Sequence, residues 1–233
     1  MKLKSPLKNN DVFKNLSEIF SHFPDNYEEL EYYAPNFFSV NVLLNKKESV
    51  EEIINLENEK DYEFWNHIKD YSKFFKRKFS NSTYTKKFFE ELLEEKEKEK
   101  NELKKSINKY MLSAMSVGNN QKHYKALDRI KSKNFWQLQI DNLNEIENRI
   151  KNVYFLNKNS LDLTKILDNN NSFCFSMLFD NQIDKNLDFL EFINLSRGKV
   201  LLISSNDRVY KRILEDWNCN KIKNKKINIW TNY

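Results

Sequence analysis

Hydrophobic positions recur with two different periods along this chain, and the changes of period divide it into three stretches. In the first, Met1 to Tyr71, the residues Val12, Leu16, Ile19 and Phe20 fall at helical spacing and predict an amphipathic helix over Val12 to His22. Phe38 to Leu44 (FSVNVLL) fits a turn running into a short helix, and Glu51 to Asn55 (EEIIN) is strand-like. Glu59 to Tyr71 predicts a helix carrying Phe64, Trp65 and Ile68. All three prolines, Pro6, Pro24 and Pro35, lie in this stretch, where they punctuate short elements.

The second stretch, Ser72 to Glu147, is helical. Tyr84 to Tyr110 is predicted as one long helix, with Phe88, Phe89, Leu92 and Leu93 as its apolar face before it runs charged through EEKEKEKNELKK. Such a run is ordinarily a solvated helix face, with coiled-coil or partner contact as the alternative. Trp136 to Lys151 forms a further amphipathic helix. The third stretch alternates strand and helix: Val153 to Leu156, Ser172 to Phe179 and Lys199 to Ser204 as strands, Ser160 to Leu167, Leu187 to Leu195 and Asp207 to Trp217 as helices. Apolar strands alternating with helices predict an open α/β sheet covered on both faces. The EEIIN strand joins the same sheet, so the helical middle becomes an insertion. The expected organisation is an α/β core from 1–71 and 148–233 with a helical insertion over 72–147.

Composition narrows the chemistry. A chain of 233 residues with 39% hydrophobic and 14% aromatic content can build a substantial core, because each aromatic buries a large area. At average usage it would carry about sixteen glycines; it has two, Gly118 and Gly198. Phosphate-cradling loops need several within a few residues, so P-loop and dinucleotide-binding sites are excluded. His22, His67, His123, Cys174 and Cys219 lie far apart in sequence and make no zinc pattern. Two lone cysteines suit reduced thiols of an intracellular protein. No apolar run of spanning length and no signal-peptide core are present, so neither a membrane nor a secreted location is expected. The net charge of +5, from 39 basic and 34 acidic residues, is a mild bias that does not by itself specify nucleic acid.

YYAPNFFSVNVLLNKKES (Tyr32 to Ser49) resembles a segment Y-V-E-P-F-x-G-S-G-x-V-L-L-N-K of the D12 class (Dam-like) of adenine-N6 DNA methyltransferases. Other blocks follow in family order. SPLKNNDVFKNL is similar to the opening S-P-L-K-x-x-G-G-K, EEIINLENEKDYEFWNHIKD to V-x-N-D-L-D with its following helix, and SKFFKRKFSNSTYTKKFFEELL to T-P-Y-S-x-x-x-F. INKYMLSAMSVGNNQ, NFWQLQIDNLNEIENRIKNVYFLNKNSLDL and LSRGKVLLISSNDRVYKRILEDW resemble three later blocks. Pro35, Trp136, Trp217, Gly118 and Gly198 stand at family scaffold positions. The resemblance implies a class I methyltransferase-like, Rossmann-like open twisted sheet with an inserted helical subdomain that grips DNA.

It also implies four functional elements, and the sequence departs at each. Asp11, Val12 and Phe13 replace the Gly-Gly-Lys that helps hold S-adenosylmethionine. Asn36, Phe37, Phe38, Ser39, Val40 and Asn41 replace the glycine-rich cofactor loop, so side chains are expected to fill the pocket. Leu56 replaces the acid that accepts hydrogen bonds from the nucleoside; Glu57 is one residue displaced. Ser176, Met177, Leu178 and Phe179 replace the catalytic D-P-P-Y, leaving only the aromatic that would stack on a flipped adenine. Adenine N6 is a poor nucleophile, and without acceptors for its protons the rate falls by orders of magnitude.

The expected protein is therefore a pseudo-methyltransferase with no catalytic residues, no S-adenosylmethionine site and no metal. Its expected role is that of a nucleic-acid-binding or scaffolding subunit of a larger complex; the alternative is an active adenine-specific DNA methyltransferase with a rebuilt site. Basic and aromatic residues interleave in KFFKRKFSNSTYTKK, as phosphate contact and base stacking require. Candidate nucleic-acid contacts are Lys73, Lys76, Arg77, Lys78, Tyr84, Lys86, Lys87, Lys122, Lys125 and Arg129, with His123, Lys131 and Lys133 nearby. Leu92 to Lys105 and the lysine-rich tail Lys221 to Tyr233 are the candidate protein-docking segments.

Overall fold

Seven strands pair into one sheet in the computed structural model of the chain, which describes residues 3, 5–7, 16–35, 40–178, 183–205, 208–222 and 227–233. In chain order the elements are α1 (Leu16–Phe20), β1 (Glu31–Ala34), α2 (Val40–Leu43), β2 (Glu51–Asn55), α3 (Glu59–Ser80), α4 (Lys86–Lys96), α5 (Glu102–Met115), α6 (Arg129–Lys133) and α7 (Phe135–Ile150). There follow β3 (Tyr154–Leu156), α8 (Ser160–Leu167), β4 (Ser172–Leu178), α9 (Ile183–Asn194), β5 (Lys199–Ser205), α10 (Arg208–Ile213), β6 (Asn218–Lys221) and β7 (Ile227–Thr231). The chain divides into two compact units, Met1–Asp11 with Lys60–Lys151, and Val12–Glu59 with Asn152–Tyr233. Among the described residues no helix is long and apolar enough to cross a membrane.

The second unit holds the sheet, in the order β3-β2-β1-β4-β5-β7-β6. Neighbours from β3 to β5 run parallel, whereas β7 is antiparallel to both β5 and β6. This is an open Rossmann-like α/β sheet, with its strand order reversing between β1 and β4. All seven residues of β4 are buried. On one face Cys174 and Leu178 join Tyr33, Leu190, Ile193, Val200, Leu202, Tyr210, Trp217 and Trp230 in a single cluster. On the other, Phe173 meets Phe23 with ring centroids 4.9 Å apart and Tyr32 at 5.7 Å, and Phe175 meets Phe23 at 5.9 Å. The alternation follows from the two-residue period of a strand.

The pattern reading locates EEIIN and the three later strands but misses β1 and the last two of the sheet. The tail Lys221 to Tyr233, expected as a docking segment, supplies β7, in which Ile229 and Trp230 are buried. Trp230 Nε1 donates to Ser204 Oγ at 2.9 Å, and the Asn232 amide accepts from Val200 N at 2.8 Å and donates to Gly198 O at 3.0 Å. The described end of the tail, residues 227–233, is thus sewn into the sheet.

In the helical unit, the long helix expected over Tyr84 to Tyr110 is two helices, α4 and α5. Asn101 caps α5 by accepting from Lys104 N at 2.9 Å, and Glu99 accepts from the backbone of Lys100 and Asn101, both at 2.9 Å. These side chains offer the backbone partners outside a helix, which ends α4 inside the charged run. α3 continues nine residues past its expected end, yet Tyr71 itself has φ −127° and ψ 22°, so a kink marks that point. Beyond the kink Lys76 Nζ binds Glu147 Oε2 at 2.5 Å, and before it Lys109 Nζ binds Asp61 Oδ1 at 2.6 Å. Burial pushes the Glu147 carboxyl up, but hydrogen bonds from Lys76 and Ser72 outweigh it and hold the group below the usual carboxylate range.

Both glycines have steric reasons. Gly118 adopts φ +61°, which side chains disfavour. A Cβ on Gly198 would lie 2.2 Å from Ser172 Oγ and 2.9 Å from Asn169 O. Beside it the Asp168 carboxylate accepts from the Ser196 hydroxyl, from Arg197 N at 3.0 Å and from Gly198 N at 2.9 Å.

A buried ion pair fixes the β1–β2 connection. Lys46, with no exposed side-chain surface, donates to Glu52 Oε1 at 2.5 Å, Ser49 Oγ at 2.9 Å and Lys47 O at 2.8 Å, and lies 4.3 Å from the Tyr32 ring centroid. Its three protons are matched, so burial is sustained. Lys46→Met is expected to destabilise the protein by about 3–5 kcal/mol through the uncompensated Glu52, with Lys46→Met/Glu52→Leu recovering most of the loss in urea denaturation.

Candidate functional site

In an open α/β sheet, ligands bind outside the carboxyl ends of the strands where the order reverses, here at the ends of β1 and β4. The chain leaves β1 through Pro35, whose carbonyl accepts from Asn55 Nδ2 at 3.3 Å and from Ser160 Oγ at 2.5 Å. Asn55 also donates to Lys158 O at 2.8 Å and accepts from Lys158 N at 2.9 Å. This one amide therefore staples together the segments that follow β1 and β3, and leaves little hydrogen-bonding capacity for a ligand. Leu56 is fully buried; its N–H donates to Leu156 O at 2.8 Å and its carbonyl accepts from Asn157 Nδ2 at 2.6 Å. Glu57, one residue on, turns its carboxylate to Ser160 N at 2.8 Å, at the first turn of α8.

The other positions at this edge are equally enclosed. Val40, at the start of α2, is buried with Val42 and Leu43. Ser176, Met177 and Leu178 are buried in β4 opposite Leu202, Ile203 and Ser204 of β5. None of these three residues carries a carboxylate to receive an amine's protons. Asp11, Val12, Phe13, Asn36, Phe37, Phe38 and Phe179 lie outside the described residues. Two titratable groups sit deeper in the sheet. Burial pushes the Cys174 thiol up to about 12 and raises Tyr33 beside it, so both stay protonated and Cys174 is an inert core thiol. Among the described residues no group of three or more His, Cys, Asp or Glu is placed to hold a metal.

The basic candidates on the helical unit fall into two kinds. Lys76 is engaged with Glu147 in a partly buried pair, and Tyr84 is core. Its ring centroid lies 4.2 Å from that of Phe135 and 5.5 Å from that of Tyr124, and its hydroxyl donates to Lys125 O. Burial raises the Tyr84 hydroxyl to about 12. Lys86 and Lys87 form exposed pairs with Glu90 and Glu91 at 3.4 and 3.9 Å, which water screens. Lys73, Arg77 and Lys78 share α3 beyond the kink, with Lys73 Nζ 5.3 Å from the Phe74 centroid and Lys78 Nζ 5.9 Å from that of Phe88. Lys122 and Lys125 are exposed on the segment after α5, and the side chain of Arg129 is outside the described residues.

Two residues absent from that candidate set are conspicuous. Tyr71 is 45% and Phe74 41% exposed, on a helix that buries Phe64, Trp65, Phe75 and Phe79 and half-buries Tyr62. Phe74 also lines an open cleft of about 740 Å³ formed by α3, α4 and α5. The signal was in the sequence: projected with a 3.6-residue period, these two rings fall away from the buried stripe.

No family model matches the chain, and no curated protein matches it. Its functional reading therefore rests on its own residues. Introducing an acid by Leu56→Asp puts a carboxylate at a fully buried position, and is expected to destabilise the fold by about 3 kcal/mol or more in thermal or urea unfolding. Unchanged stability would mean that the position opens to water or ligand.

Proposed function

We propose that this chain is a catalytically silent relative of the Dam-like adenine methyltransferases, in which the sheet unit is retained as a scaffold and the helical unit binds nucleic acid. The observation that carries the first half is the hydrocarbon at the sheet's carboxyl edge. Leu56, Met177 and Leu178 are buried where the resemblance requires hydrogen-bond acceptors for a nucleoside and for an adenine amine, and Glu57 is turned onto a backbone amide. A methyl transfer needs a held donor and an acceptor nitrogen relieved of its protons. Buried aliphatic side chains do neither. The alternative of an active enzyme with a rebuilt site requires new acceptors, and the ionisable neighbours in this part of the sheet, Cys174 and Tyr33, are held neutral by burial.

The second half is supported by Lys73, Arg77 and Lys78 on one helix, next to exposed aromatic surface. A scaffolding role within a larger complex is compatible with the same surface, but Ile227–Thr231 of the candidate docking tail is a strand of the sheet, and nucleic acid is the reading carried forward. Fluorescence anisotropy with a labelled mixed-sequence oligonucleotide is expected to show binding that weakens steeply from about 50 to 200 mM salt, as released counterions require. The triple substitution Lys73→Glu/Arg77→Glu/Lys78→Glu is expected to reduce affinity by at least about tenfold. An affinity indifferent to both salt and these substitutions would contradict the proposal.

A further inference from the structure

The geometry points to a single-stranded nucleic acid as the ligand of the helical unit, held with unpaired bases on the rings of Tyr71 and Phe74 and with its phosphates along the adjoining cleft. This rests on the nucleic-acid reading above and specifies its ligand. His67, Tyr71 and Phe74 follow one another along α3 at spacings of four and three residues, with the kink at Tyr71 between them, and their ring contacts hold them side by side across it. His67 and Tyr71 have ring centroids 5.9 Å apart, and Tyr71 and Phe74 6.3 Å apart, forming a short aromatic ladder. Its two lower rungs are the exposed rings, whereas His67 Nδ1 is tied to Ser106 Oγ at 2.8 Å.

Charge complements the rings. The cleft lined by Phe74 carries four cations, Arg77, Lys78, Lys98 and Lys104, against two carboxylates, Glu95 and Glu99. Glu99 already accepts from the backbone of Lys100 and Asn101, and Glu95 Oε2 accepts from Asn108 Nδ2 at 3.4 Å. Lys104 Nζ also lies 4.0 Å from Glu99 Oε2, which leaves an excess of Arg77, Lys78 and Lys98 over Glu95, and Lys73 Nζ lies 5.3 Å from the Phe74 centroid.

The pairing of exposed rings with a basic track selects for strand state. Bases in a duplex hide their faces in the stack, so a ring fixed to a helix cannot reach them without local melting. An unpaired strand presents every base face, and each stacked base contributes enough to change affinity by about fivefold to more than a hundredfold. Sequence preference should be weak, because stacking reads no hydrogen-bonding edge.

The test compares a 20-nucleotide single strand with its duplex by anisotropy at fixed salt, using the intact chain and its Phe74→Ala and Tyr71→Ala variants. Both rings are exposed, so the variants are expected to keep wild-type circular dichroism and melting. The expected result is tighter binding of the single strand, on the order of tenfold weaker binding by either variant, and duplex binding that neither variant changes. Equal or tighter binding of the duplex, with both variants unaltered on either probe, would overturn the stacking proposal while leaving charge-based nucleic-acid binding intact. Binding of neither probe, with capture of a polyglutamate peptide instead, would overturn both.

Discussion

A strand buried on both faces and paired on both edges leaves chemistry only one outlet, and β4 is that strand. Its backbone pairs with β1 and β5, Cys174 and Leu178 are locked into the cluster with Tyr210 and Trp230, and Phe173 and Phe175 pack on Phe23. Neighbouring elements are arranged around it. The reversed strand β7 covers the free edge of β5, and Asp168 and Asn232 fasten the turn that leads into β5. Reactive groups, if the sheet had them, would be found at the carboxyl end. Among the described residues that end presents Leu178, Leu56 and an asparagine engaged in joining two loops.

The helical unit divides its aromatic residues differently. Phe75, Phe79, Tyr110 and Trp136 make its interior, with Phe79 and Trp136 stacked at 5.2 Å and 27°. Ion pairs at Asp61–Lys109 and Glu147–Lys76 fix α3 on either side of its kink. Rings that serve the interior cannot serve a ligand, which removes Tyr84 from the binding surface. Tyr71 and Phe74 remain outside, and their partial exposure in water has no structural return within the unit. A ligand that stacks on them supplies one.

Much of this was legible in the sequence where local pattern and tertiary demand agree. SFCFSMLF and KVLLIS are continuous apolar runs because both sheet faces are covered, and they were read as strands for that reason. The departures at Leu56 and at Ser176-Met177-Leu178 were equally visible, since a missing acid needs no structure to be seen. Legibility failed where side chains act through the backbone or at long range. Asn101 and Glu99 break a helix that composition alone runs through. INIWT lies behind a lysine-rich segment and pairs with a strand 22 to 30 residues earlier, which no local period reveals. The exposed ring pair is easily passed over because FF reads as core at first sight, although the helical projection already separates Phe74 from Phe75, and the packing of Phe75 against Tyr110 bears that separation out.

The claim that the sheet has kept its frame and lost its reaction is tested most directly by incubating the purified chain with methyl-labelled S-adenosylmethionine and adenine-containing DNA, both single- and double-stranded. No label on adenine above a protein-free control is the result this account predicts. Labelled N6-methyladenine that depends on the chain would contradict it.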